Sequence, residues 1–125
     1  SLTMSGSGNV TFTAATTLAL NANTGGTIVV NDGSNNADFR VESDGNANMI
    51  FVDAGNDKVG IGMNNPASTL DVTGNVKISG ANELLLGSMT TTQRNALSAA
   101  NGMIIYNSTD NKFQGYENGS WANLI

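Results

Sequence analysis

Residues 37–87 read ADFRVESDGNANMIFVDAGNDKVGIGMNNPASTLDVTGNVKISGANELLLG, and one small unit recurs through them. Two apolar residues flank a single residue, and a polar break follows. The doublets of this stretch are Phe39/Val41, Ile50/Val52, Val59/Ile61, Leu70/Val72, Val76/Ile78 and Leu84/Leu86. Upstream, Val10/Phe12, Leu18/Leu20 and Ile28/Val30 continue the pattern, with starts six to eleven residues apart. An apolar-x-apolar doublet is the smallest β-strand that can present one buried face. Strands that short cannot stand alone and must stack into a shared core, as in repeat and fibrous proteins. The stretch therefore predicts an all-β chain, an elongated fibre of short stacked strands more than a pocketed enzyme.

The composition supports the same reading. Of 125 residues, 39% are hydrophobic, 12% charged and 6% aromatic, so one copy carries only a thin apolar stripe. Disorder is the alternative for so polar a chain, but disordered chains lack regularly spaced Val, Ile and Leu. One stripe buries too little surface to offset the entropy of ordering the chain. Association of several chains around one axis is the simplest remedy. A single-chain solenoid is the competing one, and the drift of the interval from six to eleven residues weakens it. The doublet residues Phe39, Val41, Ile50, Val52, Val59, Ile61, Leu70, Val72, Val76 and Ile78 are thus expected to form the core that the associated chains share, the trimer core if three chains meet.

Other classes are disfavoured. A net charge of −5, with Arg40, Lys58, Lys77, Arg94 and Lys112 scattered singly, argues against nucleic acid and anionic membranes as partners. No apolar run approaches a membrane span, so no membrane insertion is expected, and no signal peptide is visible. The chain opens at Ser1, which suggests a piece of something longer. Histidine and cysteine are absent, removing Ser/His and Cys/His nucleophiles and most transition-metal sites. Asp53 with Asp57, or Asp38 with Glu42 and Asp44, offer paired carboxylates of the kind glycoside hydrolysis uses. Each lies in turn-forming sequence, where Asp usually bonds its own backbone. The oxygen-rich runs Asn31–Asn35 and Asp53–Asp57 lack the ligand spacing and terminal Glu of a known calcium loop. Gly60-Ile61-Gly62 lacks the third glycine of a phosphate loop, position 65 being Asn. No catalytic residue, no metal and no cofactor are expected.

Three regions follow: a lead-in and Thr/Asn-rich shaft over 1–36, a repetitive β-shaft over 37–87, and a head over 88–125. In the head, Thr90-x-x-Gln93 fits a capping box, and good helix formers continue to Ala100. A helix is expected over about 91–100, with Met89, Gln93, Ala96, Leu97 and Ala100 on one side and Gly102 as its stop. Residues 103–125 predict a three-stranded antiparallel meander, turning at Ser108–Asn111 and at Glu117-Asn118-Gly119. Four of the seven aromatics lie here. Phe113 and Trp121 are expected in the head core. Tyr106 and Tyr116, with Asn107, Asn118 and Asn123, are the candidate receptor-binding surface, since rings beside amides suit a sugar. The alternative is that they only pack between subunits.

ADFRVESDGNANMIFVDAGNDKVGIG, NNPASTLDVTGNVKISG and TTTQRNALSAANGMIIYNSTDNKFQGYENGSWANL resemble segments of bacteriophage tail fibres and related fibrous virion appendages. The resemblance covers residues 37–125, with Met63 standing where the pattern often has Thr. It implies a trimeric fibre wound about a threefold axis, attached to a virion, extracellular, and used for host contact through a cell-surface glycan or protein. An adhesin or filament of a bacterial surface is the non-enzymatic alternative, and a glycan-cleaving tailspike the enzymatic one.

Overall fold

Four of the doublets become strands of one sheet. In the computed structural model, which describes residue 11, residues 13–31 and residues 33–125, these strands are β1 (Phe39–Val41), β2 (Ile50–Asp53), β3 (Lys58–Ile61) and β4 (Leu70–Val72). They lie in that order, with β1/β2 and β2/β3 antiparallel and β3/β4 parallel. The β2–β3 reversal is built by Asp53. Its carboxylate accepts from the backbone N–H groups of Gly55 and Asn56 at 3.1 and 3.0 Å, and Asp57 takes φ 55°. This is turn chemistry of the kind the sequence predicts for these aspartates. Asp38 and Asp71 likewise accept from the backbone N–H groups of Ala54 and Ala67.

The crossover from β3 to β4 starts at Gly62, φ 78°, and is tied down where Lys58 Nζ donates to the Pro66 carbonyl at 3.0 Å. It passes close over Gly60. A Cβ there would sit 2.5 Å from the Met63 carbonyl oxygen, so position 60 admits only glycine without a backbone shift. Phe51, cross-strand neighbour of Gly60, is the buried apolar residue of this sheet.

A second sheet has the order β5 (Ser88–Met89), β6 (Ile104–Asn107), β7 (Lys112–Glu117) and β8 (Ser120–Asn123). The β6–β7–β8 meander matches expectation. Asn111 (φ 53°) closes the first turn, and Asn118 with Gly119 (φ 50° and 80°) forms the tight second one. The short strand β5 adds in parallel to β6, so the head sheet has four strands and not three. The chain divides into two compact units at Val76/Lys77, and each sheet belongs to one of them.

Two expectations need correction. The doublets Leu18/Leu20, Ile28/Val30, Val76/Ile78 and Leu84/Leu86 form no strand among the described residues, and Val10/Phe12 lies outside them. Alternation supplies a face but not a backbone partner, and a ladder needs both. Helix α1 runs only from Thr91 to Asn95 and does not reach residue 100. Its capping box is present: Gln93 N donates to Thr90 Oγ1 (3.3 Å) and Thr90 N to Gln93 Oε1 (2.8 Å). A helix this short is held by its cap and its tertiary contacts, not by propensity, and Leu97 remains exposed. Gly102 instead serves the turn into β6, where its N–H donates to the Tyr116 carbonyl at 2.8 Å. Thr90→Ala removes one half of the box and is expected to cost about 1 kcal/mol, read as a small downward shift in the thermal midpoint of the head.

Candidate functional site

The strand register of the first sheet sorts its side chains completely. Phe39, Val52, Val59 and Leu70 are cross-strand neighbours in one row, and Val41, Ile50, Ile61 and Val72 in the next. Directly paired residues share a face, and residues two apart along a strand share it too. All eight therefore lie on one side of the sheet, while Arg40, Asp53, Lys58 and Asp71 alternate to the other. Among the described residues the apolar side is only partly covered: Phe39, Val41 and Ile50 are about two-fifths exposed and Leu70 is 62% exposed, while Val52, Val59, Ile61 and Val72 are half-buried. Of the ten residues expected in the trimer core, these eight come together. Val76 and Ile78 are exposed outside any strand.

The head is organised around a buried asparagine. Asn107, expected on the receptor-binding surface, has 0% exposure and is the hub of a polar network. Its Oδ1 accepts from the Thr109 N–H at 2.9 Å. Its Nδ2 lies 2.9 Å from Thr91 Oγ1, 3.0 Å from Asp110 Oδ2 and 3.0 Å from Gln114 Oε1, so two N–H bonds serve three acceptors. Arg94 Nη1 donates to the same Gln114 oxygen at 2.8 Å, tying α1 to the middle strand. Gln114 Nε2 in turn donates to Asn123 Oδ1 at 2.9 Å. Thr91, Arg94, Asp110 and Gln114 were not singled out from the sequence. The available signal was the polar Asn at an alternating position of the apolar strand MIIYN.

The remaining receptor candidates do not form one surface. Tyr106 packs edge-on against Phe113 at 5.1 Å, and Tyr116 packs edge-on against Trp121 at 5.1 Å on the opposite face. The Tyr116 hydroxyl donates to the Gly119 carbonyl (2.9 Å), Asn118 sits in the tight turn, and Asn123 is exposed at the sheet edge. Phe113, expected in the core, is 43% exposed.

Near residue 31, Asn31 Nδ2 donates to the Asn35 carbonyl at 2.7 Å and its Oδ1 accepts from Asn35 N–H at 3.2 Å. That side chain is spent on its own turn, and Asp32 lies outside the described residues. Among the described residues no helix is long and apolar enough to cross a membrane.

A small sheet with a partly exposed apolar face offers a surface on which another molecule can pack. Residues 59–125, more than half of the chain, match the family model described as phage tail like trimerisation region, and the chain belongs to that family. It is accordingly a phage tail fibre-like structural protein that forms a homotrimer, a component of a virion. No curated protein and no solved structure matches it.

Proposed function

We propose that this segment is a non-enzymatic spacer in a tail fibre, whose three chains pack through the β1–β4 apolar face and hold a host-contacting tip away from the particle. The observation that carries this reading is the two rows of four apolar side chains on one sheet face, of which Phe39, Val41, Ile50 and Leu70 are exposed. Facing a common axis, they bury one another as a core does. Native mass spectrometry of the parent chain is the test: a trimer is expected, and a monomer at micromolar concentration would overturn the reading.

Host attachment is the adhesive half of the proposal, with avidity from three identical sites as its mechanism. The Tyr116/Trp121 pair beside the Asn118 turn is the part of the head suited to stack on a sugar. Tyr116→Ala is expected to weaken binding to host cells at least tenfold while the trimer persists. Undiminished binding by the trimeric variant would place attachment elsewhere. A sugar-release assay on host glycans is expected to show no product, and release would favour the tailspike reading.

A further inference from the structure

The head sheet carries a second uncovered apolar face, separate from that of the first sheet. The register places Ile104, Tyr106, Phe113 and Gly115 on one side, with the charged and polar network of Asn107 and Gln114 on the other. Gly115 leaves room for Leu124, whose Cδ2 lies 3.0 Å from where a Cβ would stand. Ile104, Phe113 and Leu124 are roughly half exposed. Between this face and residues 84–88 runs an open groove of about 610 Å³, bordered by Leu84, Leu85, Leu86, Tyr106 and Phe113. On its rim stand Leu84, 71% exposed, and Leu85, 88% exposed.

A leucine that exposed, between two other leucines, has almost no contact within its own chain. The head thus presents one open groove with unlike sides, a projecting rim at Leu84–Leu85 and a receiving wall at Tyr106 and Phe113. Contacts in a threefold ring are heterologous: one patch of each subunit meets a different patch of the next, and the ring closes. A rim and a groove on the same chain satisfy that requirement, whereas a twofold dimer needs one patch that complements itself.

We propose that Leu85 of one protomer enters the groove of the next, against Phe113, so that the head carries its own intersubunit contact. The groove lies inside the matched trimerisation region, which continues through it to the end of the chain. Leu84, Leu85, Ile104, Phe113 and Leu124 are all large apolar residues left exposed at the rim and on the face. A standard interface takes ~800 Å² from each partner, so the head contact adds to the β1–β4 contact and does not replace it. This inference rests on the trimeric reading above and names one contact within it.

Two measurements test it. Leu85→Asp alters a side chain with almost no role in the protomer's own fold, so its circular dichroism should match the parent. Its trimer should dissociate at a concentration at least tenfold higher. Because the chain has no cysteine, Leu85→Cys chains can also be refolded with Phe113→Cys chains and oxidised. A disulfide-linked pair of one chain of each kind is expected, and neither chain alone should give it. A Leu85→Asp trimer as stable as the parent, or mixed trimers without the Leu85–Phe113 cross-link, would overturn the contact and assign the groove to another chain. A monomeric parent would overturn the trimeric reading itself.

Discussion

A Val59→Asp chain is expected to remain monomeric at concentrations where the parent is a trimer. Val59, half-buried within the chain, sits between Val52 and Leu70 in its row, at the middle of the apolar face. Assembly would take its carboxylate out of water with no cation on that face to receive it, since the charged residues of these strands alternate to the other side. Leaving a buried charge unpaired costs about 3–5 kcal/mol, and a symmetric trimer meets that cost three times. Three carboxylates brought together near one axis would also repel each other. Arg40→Ser is the control, an exposed change on β1 that points away from the apolar side, and it should assemble as the parent does. Sedimentation velocity distinguishes the two. A Val59→Asp trimer would show that the β1–β4 face lies outside the subunit contact.

The second large effect is expected at Asn107. Replacing it by Leu keeps the volume and removes every partner at the hub. The Thr109 N–H, the exposed Asp110 carboxylate and the Gln114 amide then lose hydrogen bonds to it, although Gln114 Oε1 keeps the Arg94 guanidinium. The Thr109 N–H is the group left without its partner, and one such group costs about 1–3 kcal/mol, so a loss of that order is expected. For a unit of this size that lowers the melting midpoint by ~5 °C or more. Trp121, the only tryptophan, lies in the head and gives a local fluorescence signal for its unfolding. Asn123→Ala removes a single acceptor at the exposed edge, and Gln114 Nε2 keeps Asp110 Oδ2 at 3.3 Å, so a much smaller shift is expected there. Equal midpoints for Asn107→Leu and the parent would mean that the network contributes no net stability.

What residues 37–125 determine on their own is whatever is written within a few neighbouring positions. Period-two alternation in FRV, IFVD, KVGI and LDV puts eight apolar residues on one face, because successive strand side chains point to opposite sides whatever the sheet becomes. Asp53, Asn111 and Asn118-Gly119 encode their turns through local hydrogen bonds and positive φ. The capping box at Thr90 and Gln93 is equally local. The candidate assembly face was therefore legible before any coordinates, along with the meander that ends the chain.

Only the tertiary structure decided which doublets find a partner. Leu70/Val72 becomes a strand because the crossover through Pro66 returns it parallel to β3, and Val76/Ile78 has no such neighbour among the described residues. The parallel pairing of β5 with β6 is likewise non-local, joining Ser88 to Tyr106 across the helix. The same separation hid the meaning of Asn107. An asparagine on a strand suits a wet surface, or a dry hub when partners from three other segments converge on it. Thr91, Asp110 and Gln114 converge only after the sheet and helix have closed. Local pattern sets which way a side chain points, and long-range packing sets whether water or protein meets it there.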